Sequence, residues 1–117
     1  MSRPLKEGDD DHIRGFILHK LYLWGMWSRT STGVHNKHTS VDNLPKGYPL
    51  KYRRQFPIII KNMKRRSEQL IIVFSSTGEE HVCANIEQFD RGLELCNKYR
   101  ESGGLPPLDR QLRAIMD

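Results

Sequence analysis

Apolar residues first recur at helical spacing from residue 13, where Ile13, Phe16, Ile17, Leu21 and Trp24 fall along one face. Asp10 or Asp11 precedes them as an N-cap and Gly25 follows as a stop, so a first helix is predicted, with Trp24 in the core. Residues 28–33, Ser-Arg-Thr-Ser-Thr-Gly, are small and polar and read as a loop. Residues 34–38 read as a short strand. Thr39 or Ser40 can then cap a short helical turn that runs to Leu44 and ends at Pro45-Lys46-Gly47.

Residues 48–66 carry the next periodic pattern. Phe56, Ile59, Ile60 and Met63 share one face and Arg54, Lys61 and Arg65 another, as an amphipathic helix requires. Pro57 has no amide to bond the Arg53 carbonyl, so this helix either starts near Phe56 or is kinked there. Leu70-Ile71-Ile72-Val73-Phe74 is an apolar, β-branched strand, residues 75–80 a turn, and residues 81–85 a second strand, together a β-hairpin. Residues 87–101 place Phe89, Leu93, Cys96 and Tyr99 along one helical stripe, and Ser102-Gly103-Gly104 breaks it. A second helical piece is predicted from Pro106-Pro107 onward, with Leu108, Leu112, Ile115 and Met116 on one face. The pattern divides the chain into a polar, frayed opening (1–11), a domain (12–86) and a helical extension (87–117).

A length of 117 residues suits one such domain, and 37% hydrophobic with 28% charged residues suffices for a thin core. No apolar run approaches the roughly 20 residues of a membrane-spanning helix. The first eight residues lack the apolar stretch of a secretory signal, and Cys83 and Cys96 alone make no disulfide framework, so a reducing cytoplasm is expected.

Charge changes the picture more. The net value of +5 arises in one place: residues 45–67 hold Lys46, Lys51, Arg53, Arg54, Lys61, Lys64, Arg65 and Arg66 with no Asp or Glu, while residues 68–117 are net acidic. Such a segment either binds a polyanion, of which the phosphate backbone is the commonest, or is a solvated basic face.

The element order (helix, short helix, basic helix, hairpin) is that of a winged helix-turn-helix domain, in which the third helix is presented to the DNA major groove and the hairpin is the wing. The basic segment falls at that third position. Lys37-His38-Thr39, followed by Asp42-Asn43-Leu44-Pro45-Lys46-Gly47 and Pro49, resembles a block found in small archaeal winged-helix proteins of unknown role. The stretch 21–27 (Leu-Tyr-Leu-Trp-Gly-Met-Trp) and the hairpin are also similar, so the resemblance covers residues 13–86; residues 28–36 are an insertion relative to it. The resemblance implies an α+β winged-helix fold and DNA binding, and neither an enzymatic activity nor a ligand.

On this reading the partner is double-stranded DNA and the role that of a transcription-type regulator. Lys46, Lys51, Arg53 and Arg54 meet phosphates near the helix start, Lys61, Lys64 and Arg65 lie on or near the exposed face, and Lys37 joins the set. No metal and no cofactor is expected. A homodimer through residues 87–117 is one use of the extension, and packing onto the chain's own first helix is the other. Glu79-Glu80 at the wing tip argues against DNA, because carboxylates repel phosphates. A protein-interaction module that docks the basic helix on an acidic partner is therefore the alternative.

Two other chemistries need weighing. His35, Lys37 and Asp42 match the H-x-K-x-x-x-x-D spacing of phosphodiesterases that attack phosphorus with a histidine, but the glycine-serine and asparagine that usually follow are missing. His35, His38, His81 and Cys83 are the ligand types zinc uses, although an ordinary core role for Cys83 is simpler.

Overall fold

Helix α1 spans Asp10–Leu23 in a computed structural model that describes residues 5–28 and 37–113. Its N-cap is Asp9, not Asp10 or Asp11, which instead occupy the first turn, where carboxylates meet the positive end of the helix dipole. The end of the helix closes as the glycine predicts. Gly25 adopts φ +72°, the Met26 amide donates to the Leu21 carbonyl at 2.9 Å, and the Gly25 amide donates to that of Tyr22 at 3.3 Å. Trp24 departs from the expectation: it is the C-cap residue and is 46% exposed. Past the last helical residue the apolar stripe no longer governs where its ring points.

Four strands follow: β1 (Trp27–Ser28), β2 (Thr39–Ser40), β3 (Ile71–Ser76) and β4 (Glu79–Asn85). β4 is the centre of the sheet. β3 pairs with it antiparallel along one edge. The other edge is shared by β2, antiparallel at Val82 and His81, and β1, parallel at Ala84 and Asn85. The predicted hairpin is present, and its two-residue turn, Thr77-Gly78, has both φ angles positive, at 53° and 79°, which matches the twist of the flanking strands. The strand expected at 34–38 differs. Its residues 34–36 lie outside the described residues, Lys37 and His38 are not in a strand, and the pairing falls on Thr39 and Ser40. Ser40 ends it by turning to cap the 3₁₀ turn Val41–Asn43, accepting from the Asp42 amide at 3.3 Å.

The basic segment is not one helix. A 3₁₀ stretch, Leu50–Gln55, gives way to α2 (Phe56–Met63) at Pro57, which sits in the first helical turn where its missing amide costs nothing. Phe56, Ile59, Ile60 and Met63 are buried as their spacing requires.

Helix α3 spans Phe89–Ser102 and buries Phe89, Leu93 and Cys96. Its stripe lies against α1, and the two backbones come close. A Cβ on Gly15 would meet the Leu95 carbonyl oxygen at 2.5 Å, and Tyr22 stands over Gly92. The apolar stripe of α3 is thus covered by the chain's own first helix, the second of the two uses expected for the extension, and one core runs from Ile13 to Cys96. Beyond Gly104 the chain folds back on α3 through Asn97, whose side-chain oxygen accepts from the Leu108 amide at 2.7 Å and whose amide donates to the Leu108 carbonyl at 3.2 Å. Of the predicted second helical piece, residues 110–111 form a turn and Leu112 and Arg113 are helical, and Ile115 and Met116 lie outside the described residues. Among the described residues the fold is α+β, with three α-helices of a turn or more and a small sheet.

Candidate nucleic-acid interface

The basic segment is anchored from beneath. Lys20 of α1 is buried, and its ammonium donates to the carbonyls of Asn43 at 2.8 Å, Leu44 at 3.1 Å and Lys46. These carbonyls end the turn that leads into the cations, so one side chain of the core holds the entry of the basic segment. Burial, with Arg53 and Lys46 nearby, brings this ammonium down to about 8, so at neutral pH it remains mostly charged and keeps its three donors. Behind the anchor Phe16, Tyr48 and Phe56 meet edge to face, with centroids 5.0 Å apart for Phe16–Tyr48 and 5.3 Å for Tyr48–Phe56. Arg14 forks onto Glu68 with two bonds of 3.0 Å and fixes the far end of the segment to the same helix.

On this frame the cations separate. Lys46, Lys51, Arg54, Lys61, Lys64 and Arg65 are exposed. Lys51 and Arg54 share a side of the 3₁₀ stretch, three residues apart. Lys61 lies in the last turn of α2, Lys64 caps it, and Arg65 follows. Among the described residues none of Lys51, Arg54, Lys61, Lys64 and Arg65 has a carboxylate partner. Lys46 reaches only the Asn43 side-chain oxygen, at 2.9 Å. Two of the candidate cations stand apart. Arg53 is half-buried and its Nε donates to the Tyr48 carbonyl at 2.9 Å, so part of its fork is already used. Lys37 lies before β2 with its ammonium 5.1 Å from the Trp27 ring centroid, off the basic segment.

Between α2, the turn at residues 41–45 and the hairpin runs an open groove of about 430 Å³. Its floor is apolar, with Phe56, Ile60 and Val73, and its sides bring Arg53, Lys61 and Lys64 together with Asp42 and Glu80. The hairpin carboxylates are thus not equivalent: Glu80 lines the groove beside the cations, while Glu79 is at the exposed start of β4. This placement follows from the strand period, because Glu80 is two residues from Val82 and shares its face.

The alternative metal ligands meet only in part. His38 and His81 pack ring to ring, with Nδ1 atoms 3.2 Å apart, against Phe74. Cys83 is fully buried, and burial pushes its thiol up to about 11, which keeps it protonated rather than ready to bind a metal. His35 is outside the described residues, and among the described ones no three His, Cys, Asp or Glu side chains gather. For the phosphodiesterase spacing the same limit applies: Lys37 and Asp42 are both exposed and His35 is not described.

The sequence reading passed over four residues that the structure puts beside these cations: Leu50, Gln55, Ile58 and Asn62. Leu50 and Ile58 are 77% and 67% exposed. The helical wheel that grouped Arg54 with Lys61 already contains Ile58 and Asn62, and continuing it would have found them.

Two histidines on α1 make folding sensitive to acid. Burial lowers His12, against smaller opposing effects of Glu7 and Asp9, and burial followed by Arg100 lowers His19. His12 Nδ1 lies 2.7 Å from the Tyr48 hydroxyl, which already accepts from the Gly8 amide at 2.7 Å, so the phenol is assigned as donor to a neutral imidazole. As pH falls through about 6.5, the unfolded chain takes up protons that the folded chain refuses, so stability falls. Urea denaturation at pH 7 and pH 5 is expected to give a smaller loss in His12→Phe than in the parent. An equal loss in both would remove His12 from the account.

No protein-family model, curated protein or solved structure matches the chain.

Proposed function

We propose that this chain is a winged-helix protein of the cytoplasm that binds double-stranded DNA through residues 46–66 and acts as a transcription-type regulator, related to the small archaeal winged-helix proteins it resembles. The observation that carries the reading is the row of exposed cations without carboxylate partners on the 3₁₀–α2 segment, held against the core by Lys20 and Arg14. Pairing agrees with it, while the second helix of that element order is only the three-residue 3₁₀ turn Val41–Asn43. A strand between the first helix and the basic segment, β2, pairs antiparallel with the second strand of the hairpin, as the first strand of a winged helix does. The hairpin carboxylates still count against the reading, since Glu80 and Asp42 line the groove with Lys61 and Lys64 and Glu79 stands at the exposed start of β4. No described helix is long and apolar enough to cross a membrane.

Lys51, Arg54, Lys61, Lys64 and Arg65, all without a carboxylate partner among the described residues, are the side chains that would neutralise phosphates, with Lys51 resting over the Tyr52 ring at 5.0 Å. About five such contacts give a log–log salt slope near −4.5, a loss of about 500-fold in affinity between about 50 and 200 mM salt. Fluorescence anisotropy with a labelled random duplex measures this. In Arg54→Ala combined with Lys61→Ala the slope is expected to flatten by about 2. Absence of duplex binding at the lowest salt would overturn the reading, and capture of an acidic peptide by the same cations would replace it.

A further inference from the structure

The cations of the basic segment surround an apolar residue that the fold does not use. Ile58 lies in the first turn of α2 yet is 67% exposed, while its neighbours Ile59 and Ile60 are buried. Within one turn of it on the same face are Arg54 and Gln55 before and Lys61 and Asn62 after. Asn62 is partly exposed, and among the described residues its side-chain amide has no hydrogen-bond partner; the same holds for Gln55.

An isoleucine exposed by itself needs no explanation. One flanked by a free carboxamide and free cations matches the chemistry of a base-pair edge. In the major groove an A·T pair differs from G·C by the thymine 5-methyl group, which takes an apolar contact, and by the adenine N6 donor in place of guanine O6, so that N6 and N7 together take a bidentate amide. Ile58 and Asn62 are four residues apart, about 6 Å along the helix, against a base-pair rise of about 3.4 Å, so both reach edges within about two steps.

We propose that Ile58 and Asn62 make this protein select A·T pairs in the major groove, with the thymine methyl read by Ile58. This rests on duplex binding by the basic segment and adds which duplexes are preferred. Phosphate contacts carry no sequence information, so the uncharged Ile58 and Asn62 are proposed as the selective part of the face, and Arg54 and Lys61 hold the register.

The experiment compares alternating dA-dT, dA-dU and dG-dC duplexes with the full chain at low salt, followed by anisotropy. The dA-dT duplex is expected to bind about four-fold more tightly than dA-dU for each methyl buried, the equivalent of about 0.8 kcal/mol. In Ile58→Ala the dT and dU duplexes become equal, while the salt slope stays that of the parent. In Asn62→Ala the preference of dA-dT over dG-dC shrinks and the dT-over-dU preference remains. Replacing cytosine by 5-methylcytosine in the dG-dC duplex restores a methyl group and tightens binding in the parent but not in Ile58→Ala. Because Ile58 is exposed, its truncation leaves the core intact, and circular dichroism checks this. Equal binding of dT and dU duplexes by the parent would sink the proposal and leave DNA binding standing. No duplex binding at all would sink both.

Discussion

Replacing Lys20 by Met is expected to destabilise the protein by about 3 kcal/mol, with each of three carbonyls losing a charged donor at about 1 kcal/mol or more. The volume is nearly unchanged, so the loss measures the hydrogen bonds to Asn43, Leu44 and Lys46 rather than a cavity. Lys20 also lies 4.7 Å from the centroid of the Phe16 ring, an attraction that Met loses. The substitution should act on binding as well, although Lys20 is buried and touches no ligand. Freed carbonyls let the turn at residues 41–47 move, and with it the entry to Lys51 and Arg54. Urea denaturation followed by tryptophan fluorescence gives the first quantity, and duplex titration of the still-folded variant gives the second. A loss below about 0.5 kcal/mol, the size of an ordinary surface change, would show that water replaces the ammonium at those carbonyls.

Gly15→Ala is expected to cost about 3 kcal/mol or more, against the usual gain from alanine in a helix. The added Cβ would sit 2.5 Å from the Leu95 carbonyl oxygen and 2.6 Å from the Tyr99 Cβ, both on α3. Neither is the far end of a flexible side chain, so the helices must separate, and Phe89, Leu93 and Cys96 lose packing with them. Thermal unfolding of Gly15→Ala beside Gly103→Ala makes the test internal. At Gly103 the nearest heavy atom to a new Cβ is the Arg100 carbonyl oxygen at 3.7 Å, an ordinary contact. Equal melting temperatures for the two variants would mean that α3 does not rest on α1.

These two residues mark the limit of what periodicity could reveal. Apolar spacing along residues 13–21, 56–63 and 89–96 identifies the buried faces, because a helix of 3.6 residues per turn has only one face to bury. It cannot say which face meets which. The stripe on residues 89–96 reads the same whether it covers a second chain or α1, and only the close approach at Gly15 and Gly92 decides it. Trp24 illustrates the same limit at a helix end, where the Gly25 turn outweighs its hydropathy. Ile58-Ile59-Ile60, β-branched throughout, is a strand by local preference. Pro57 at its start and the burial of Ile59, Ile60 and Met63 together make it helix.

The candidate interface divides in the same way. The concentration of cations in residues 45–67 is a property of the chain, present in any fold and therefore legible at once. Their division into free and engaged groups is not. Arg53 is tied to Tyr48, Lys37 lies off the segment beside Trp27, and Glu80 lines the groove beside Lys61 and Lys64, each through residues distant in sequence or through strand register. The amino-acid order by itself determined which segments bury apolar surface and where the positive charge resides, because periodicity and charge are local. Which helices touch, which cations remain free and where the hairpin carboxylates face were decided by the tertiary structure, because those depend on groups that meet only when the chain has closed on itself.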